Sequence, residues 1–259
     1  MGAFRILVAD DHPIIRFGLS TLLGSHEGWE VCGEAADGRD TVEKCKRLKP
    51  DLLVLDVSMP ELNGVDAARQ ILKHNPDQVI LVLTAVDSEH VVRECLEAGI
   101  RGWVFKSDGT DDLITAVEAL QRHNTVFSSR VSDLILEGYK QHRVAPAPVD
   151  IPKLSPRERE VLQLVTEGKA SKEIALILNI SLATAETHRS NILRKLGLHS
   201  IAELVLYAVR NGIIHVQCPP GLGIPSPKAE RNRPAAPRSY AEFPKPGNGQ
   251  ASIEPQDAN

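Results

Sequence analysis

Asp51-Leu-Leu-Val-Leu-Asp-Val-Ser-Met-Pro-Glu-Leu-Asn-Gly64 is the stretch from which the fold can be read. Residues 52–55 form an unbroken apolar run, which suits a strand buried on both faces of a parallel sheet. The run stops at Asp56, and Pro60, Asn63 and Gly64 then mark a loop. A carboxylate therefore stands where a buried strand meets solvent, on the carboxyl-end rim where open parallel sheets bind ligands. Taken alone, Asp56 reads as a loop cap. Polar residues arriving at the same rim from other strands change that reading.

Upstream, residues 4–9 read as a strand that ends in Asp10-Asp11, and His12-Pro13 opens an apolar-periodic helix with proline in its first turn. Residues 30–35 give a second strand and 41–48 a helix. Downstream, 65–72 is a helix and 79–83 an apolar strand ending in Thr84-Ala85. Ser88 caps a helix through residue 98, with Gly99 as its stop. A short strand over 102–105 ends at Lys106, and a helix over 110–122 carries Asp111 and Asp112 in its first turn. Five strands alternating with five helices predict a doubly wound α/β domain.

Asp10 and Asp11, Asp56, Thr84 and Lys106 then fall at the carboxyl ends of four different strands. Crowded carboxylates repel by about 4 kcal/mol per pair at 4 Å and an effective dielectric near 20. An all-oxygen cluster with room for water suits Mg²⁺, which favours phosphate as a co-ligand. Thr84 and Lys106 are donors of the kind that surround phosphoryl oxygens. There is no Gly-rich phosphate loop of Walker type, so no nucleotide cofactor is expected. The reading that fits is an aspartate that accepts a phosphoryl group as an acyl phosphate. Singly, each residue has a plainer role as helix cap, turn residue or solvated charge; their joint arrival at strand ends outweighs those readings.

Residues 143–152 are punctuated by proline and read as a semi-extended linker, preceded by a helix over 131–139 that bridges out of the first domain. The second domain opens with Ser155 as N-cap, Pro156 at the first helical position and Glu158 completing a capping box. Gly168 stops that helix, and Ser171 caps a second over 172–178. A third begins at Ser181 or Thr184 and runs to Gly197, and a fourth covers about 200–211. Two helices joined by a tight turn and framed by two more make a helix-turn-helix. The polar residues of the third helix suit a major groove, with Arg194 and Lys195 on phosphates. An ordinary solvated face, its cations answering the helix dipole, suits the same residues equally well. From residue 217 the chain is rich in Pro, Gly, Ser and Ala, and is expected to be a disordered tail.

With these motifs in place, residues 1 to about 125 resemble a two-component receiver domain, which is a flavodoxin-like (βα)5 fold. The resemblance rests on Asp10-Asp11, on Asp56 followed by Met59-Pro60 and Gly64, on Thr84-Ala85 and on Lys106. It implies that Asp56 is the phospho-acceptor and that Thr84 and Lys106 respond to the new group. It also implies that Mg²⁺ is bound by Asp10, Asp11, Asp56 and the backbone carbonyl of Ser58. Trp103 occupies the aromatic switch position, where Tyr or Phe is commoner, and Ser107 stands where many receivers have proline.

Residues 154–214 resemble a LuxR-type helix-turn-helix through Ser155-Pro-Arg-Glu-Arg-Glu-Val-Leu, Lys172-Glu-Ile-Ala and Thr187-His-Arg-Ser-Asn-Ile-Leu-Arg-Lys-Leu-Gly. Together the halves have the NarL/FixJ-type response regulator layout. The resemblance implies DNA contacts at Glu186, Thr187, Ser190, Arg194 and Lys195. Glu186 stands where Lys is usual; it would be repelled by phosphate, though it could accept from a cytosine amino group. The expected domains are a receiver over 1–125, a linker over 126–153, a helix-turn-helix over 154–216 and a tail over 217–259. The expected function is transcription regulation switched by a histidine kinase, with a phosphorylated homodimer on paired half-sites of double-stranded DNA. By the same resemblance, the unphosphorylated receiver masks the dimerising or recognition surface.

Composition and charge agree with this layout. Residues 1–130 hold 14 Lys/Arg against 21 Asp/Glu, whereas residues 151–217 hold 9 against 6. An acidic half joined to a mildly basic one suits a cation site followed by a polyanion contact. No apolar stretch is long enough to span a membrane and no secretory leader is read at the start. Cys32, Cys45, Cys95 and Cys218 have neither metal spacing nor disulfide-scaffold density, which points to a reducing cytoplasm. Two rival readings are an aspartate-nucleophile phosphatase and a protein-interaction module. The first usually wants Asp-x-Asp after its first strand, where this chain has Asp10-Asp11-His12. The second would follow if Glu186 turned the helix-turn-helix toward a protein partner.

Overall fold

A computed structural model describes residues 2–86, 88–128, 131–133, 154–210 and 213. Its first half is built around β3 (Leu52–Leu55), buried along its whole length between β1 (Phe4–Ala9) and β4 (Val79–Thr84). β2 (Trp29–Ala35) lies outside β1, and β5 (Gly102–Phe105) lies outside β4. All pairings are parallel. The helices between the strands are α1 (Pro13–Gly24), α2 (Gly38–Leu48), α3 (Gly64–His74), α4 (Glu89–Ala98) and α5 (Thr110–Gln121).

The two-residue period of a strand sends alternate side chains to opposite faces. Leu7, Leu53, Leu55 and Val82 join Val42, Val65, Ile71 and Val91 in one core, under α2, α3 and α4. Ile6, Val8, Val54 and Leu81 join Leu19, Leu23, Leu113 and Val117 in the other, under α1 and α5. Central strands therefore need apolar residues at every position, which is why 52–55 carries no alternation.

The sheet has six strands where the sequence predicts five. The added strand, β6 (Val126–Phe127), pairs with Gly102 and Trp103 of β5. Two residues are too few to carry a periodic signal, and only the tertiary return past His123, at φ 60°, lays them on the sheet edge. Of the helix expected over 131–139, residues 131–133 are described and are helical; residues 134–153 of the expected linker and the expected tail lie outside the described residues.

The second half comprises α6 (Pro156–Thr166), α7 (Ser171–Ile177), α8 (Leu182–Leu196) and α9 (Ile201–Arg210). Val161, Leu162, Val165, Ile174, Ala185, Ile192 and Leu204 form its core. The capping box at Ser155 and Glu158 forms as read, with the Ser155 N–H donating to Glu158 Oε2 at 2.7 Å. Ser181 caps α8, and Gly197, at φ 64°, closes it. Two caps differ from expectation. Ser88 precedes α4 without a side-chain capping bond. At α7 the N-cap is Ala170, whose N–H donates to the Glu173 carboxylate at 2.7 Å; the reciprocal half of a capping box suffices, and Ser171 becomes the first helical residue.

Gly64 opens α3 where the chain folds back on Asp56. Its N–H donates to Val57 O at 2.8 Å, and a Cβ there would stand 2.0 Å from the Asp56 carbonyl oxygen. Backbone cannot give way like the tip of a side chain. Gly64→Ala should therefore lower unfolding free energy by about 3 kcal/mol, the upper part of the range for overpacking. Urea denaturation with an unchanged midpoint would contradict the close approach.

Candidate functional site

The sheet register brings the polar residues together. Ala9 pairs with Leu55, and Thr84 pairs with Phe105, so the residues just beyond them emerge at one rim. Backbone bonds extend the ladder to the site itself: Asp56 N donates to Ala9 O, Asp10 N to Ala35 O and Lys106 N to Thr84 O.

Asp10, Asp56 and Thr84 are 1%, 2% and 0% exposed. Lys106 Nζ lies 2.7 Å from Asp56 Oδ2 and 2.7 Å from Asp10 Oδ2, a single ammonium between two buried carboxylates. Burial pushes the Asp56 carboxyl above its ordinary pKa; Lys106 opposes the shift, and Asp10 adds to it. Burial also works against the Lys106 ammonium, but Asp56 and Asp10 outweigh it and hold its pKa above the usual value. Ser58 N–H favours ionised Asp56, yet Asp56 Oδ1 has no hydrogen bond of good geometry among the described residues. One lysine thus leaves the cluster short of positive charge.

His12 enters this cluster too, a residue from which the sequence yields only a helix start. Its N–H donates to Asp10 Oδ1 at 2.9 Å, and its Nδ1 stands 2.6 Å from Asp11 Oδ1. The signal was its place directly after the acidic pair. Asp10, Asp11, His12 and Asp56 offer ligand atoms all within 4.8 Å of one another. That spacing and the orphaned Asp56 oxygen fit a small hard cation taking oxygen ligands.

Thr84 Oγ1 accepts from Val86 N–H at 3.1 Å, at the end of β4 between the strands that carry Asp56 and Lys106. Trp103 is buried and meets Phe105 edge-on, with ring centroids 6.2 Å apart. Its Nε1 has no hydrogen-bond partner among the described residues. Ser58 sits half-buried in the loop after β3.

On α8, Ala185 and Ile192 face the core, while Glu186, Thr187, Ser190, Arg194 and Lys195 are exposed. Thr187 Oγ1 donates back to Ala183 O, and Arg194 donates to Asn191 Oδ1, each at 2.8 Å. Lys195 Nζ is 2.8 Å from Glu158 Oε2, tying α8 to the capping box of α6. The polar face of α8 is therefore open. Hydrogen bonds between the two halves run through α6, where Arg39 donates to Glu160 and the Asn63 N–H donates to Gln163. The resemblance offers two surfaces for masking, the dimerising or the recognition surface, and of these the polar face of α8 is not covered.

The raised pKa of Asp56 has a definite consequence for stability. A carboxyl whose folded pKa is raised weakens the fold once ionised, and the penalty fades as pH falls through that folded value. Asp56→Asn should raise the melting temperature at pH 7 by about 2–5 °C. The gap to the parent protein should narrow on acidification, and a variant melting lower at pH 7 would contradict this balance.

Residues 6–118 match the family described as response regulator receiver domain, and residues 152–208 match bacterial regulatory proteins of the luxR family. The transcriptional regulatory protein MctR of Rhizobium johnstonii is 33% identical over 210 residues, covering 81% of this chain and 95% of that protein. The response regulator protein VraR of Staphylococcus aureus is likewise 33% identical over 210 residues, covering 81% of this chain and 98% of its own. Among solved structures, the RcsB response regulator of Salmonella typhimurium superposes with a TM-score of 0.55 at 31% identity, covering 82% of this chain and 99% of that one. RcsB from Salmonella enterica serovar Typhimurium, bound to promoter rprA in the presence of phosphomimetic BeF3−, gives 0.52 at 31% identity, covering 80% and 98%. The chain belongs to the two-component response regulators that join a receiver domain to a LuxR-type helix-turn-helix, a family of DNA-binding transcription regulators and not of enzymes.

Proposed function

We propose that Asp56 is the phospho-acceptor of this regulator and that a histidine kinase is its donor. The observation that carries the reading is a buried aspartate at the end of a central strand, with one oxygen held by Lys106 and the other lacking a hydrogen bond of good geometry among the described residues. An Asp56 carboxylate oxygen attacks the phosphorus of a phosphohistidine. The P–N bond breaks, and the leaving imidazole takes up a proton. Asp10, Asp11, Asp56 and the Ser58 backbone carbonyl would hold Mg²⁺, which supplies positive charge against the incoming phosphoryl oxygens. Lys106 then turns from the carboxylate to a phosphoryl oxygen, and the Thr84 hydroxyl is drawn the same way. Trp103 packs against Phe105 on β5, the strand beside Thr84, placed to feel that movement.

DNA is read by α8. Thr187, Ser190 and Arg194 are exposed along it, and Glu186 sets a base preference or weakens affinity. Lys195 reaches phosphate only by leaving Glu158. The exposed Ile201, Leu206 and Val209 of α9 support a homodimer on paired half-sites once Asp56 is phosphorylated. The proposed domains are 1–125, 126–153, 154–216 and 217–259, with Val126–Phe127 at the start of the linker lying on the receiver sheet as β6. No helix among the described residues is long and apolar enough to cross a membrane, and we place the protein in the cytoplasm.

Asp56→Ala should abolish acid-labile labelling from acetyl phosphate, and retained label would mean another acceptor. Glu186→Lys should tighten DNA binding and steepen its salt dependence by about one unit per added phosphate contact. An unchanged slope would show that residue 186 does not meet the backbone.

A further inference from the structure

Between Asp56 and α3 the chain forms a loop whose backbone is held from the other half of the molecule. Gln163 of α6 is 2% exposed and its amide is fully engaged. Its Nε2 donates to Met59 O at 2.9 Å and to Glu167 Oε1 at 2.8 Å. Its Oε1 accepts from Asn63 N at 2.8 Å and from Asn63 Nδ2 at 3.2 Å. One helical turn on, Glu167 Oε1 accepts from Glu61 N at 3.1 Å. Met59, Glu61 and Asn63 are alternate loop residues, and each gives a backbone group to the same face of one helix.

The loop is not at rest by itself. Glu61 stands at φ 63°, a left-handed conformation that side chains other than glycine seldom take. Its own cross-bonds, Leu62 N to Pro60 O and Gly64 N to Val57 O, leave Met59 O, Glu61 N and Asn63 N for α6. Withdrawing the helix would return those groups to water and free the apex to relax. Ser58 lies in this loop, two residues past Asp56 and one before Met59.

We propose that Gln163, a residue of the DNA-binding half, is a positioning residue for the acceptor site: by clamping the loop at Met59 and Asn63 it preorganises the cation pocket. This rests on the reading of Asp56 and its acidic neighbours as an Mg²⁺ site. A pocket ordered in advance has less freedom to lose when the ion binds. Docking of α6 and cation binding then favour one another, and linkage requires the coupling to be equal in both directions. Withdrawal of α6 therefore weakens cation binding at the acceptor, so the site senses whether the helix-turn-helix half is docked.

The test is calorimetric Mg²⁺ titration of the full chain, with amide hydrogen exchange over residues 57–64. Gln163→Leu keeps the bulk of the side chain and removes both ends of its amide. It should weaken Mg²⁺ binding by about fivefold, the worth of one net hydrogen bond, and deprotect the Glu61 and Asn63 amides. Glu160→Gln loosens the same interface at Arg39 and Gln70 without touching the loop backbone groups that Gln163 and Glu167 hold. It should leave both readouts near those of the parent protein. The proposal is overturned if Gln163→Leu deprotects the loop with Mg²⁺ affinity unchanged, or leaves those amides protected. It is equally overturned if Glu160→Gln weakens Mg²⁺ binding as much while the loop stays protected. Failure of the parent protein to bind Mg²⁺ would instead remove the acceptor reading beneath it.

Discussion

Two buried carboxylates on neighbouring strands share one ammonium, and much of the molecule follows from that imbalance. At about 4 kcal/mol per close pair, Asp10 and Asp56 could not stand side by side in the interior without Lys106. The parallel register delivers all three to the same rim, because each is the first residue beyond a strand that pairs directly or through one neighbour. Asp11 and His12 add a further anion and an imidazole at the edge. What remains is a pocket with more negative charge than its one cation can answer. An acidic cluster of this kind fits a small hard cation.

The second half of the chain bears on this pocket by an unexpected route. The polar face of α8 stays uncovered, and α6 reaches the loop after Asp56. The contact is polar almost throughout: Arg159 meets Asp66 and Glu94, Glu160 meets Arg39, and Gln163 lies buried between backbone groups. Arg159 and Arg69 share Asp66 and Glu94 in one network, and Asp66 and Glu160 are buried, so these are not the isolated pairs of an open surface. Separating them would leave buried charge uncompensated. The same holds for the buried amide of Gln163, because leaving its partners unpaired in the interior would be costly.

Several elements were legible in the chain itself. The run 52–55 could be placed on a central strand because a strand covered on both faces has no polar side to show. Asp10, Asp11, Thr84 and Lys106 could be grouped because strand ends in a parallel sheet share one edge. Ser155, Pro156, Glu158 and Gly197 marked helix ends because capping is local chemistry. Where local signals were weak or ambiguous, the reading went astray. β6 is two residues long and exists only because β5 offers an unpaired edge. Ser171 looked like a cap because serine usually is one, but Glu173 could close the same ring from the other side.

By itself, then, the order of residues determined the layered sheet, the acidic rim and the helix-turn-helix, since each depends on periodicity or on contacts between near neighbours. Tertiary structure alone decided that Lys106 bridges Asp10 and Asp56, that His12 joins the acidic cluster, and that Lys195 turns inward to Glu158. It alone placed Gln163 against a loop 100 residues earlier in the chain. Such pairings leave no trace in local pattern, because a polar side chain on a helix looks the same whether it faces water or another domain. The distinction appears only when packing removes the water and the hydrogen bond must be made elsewhere.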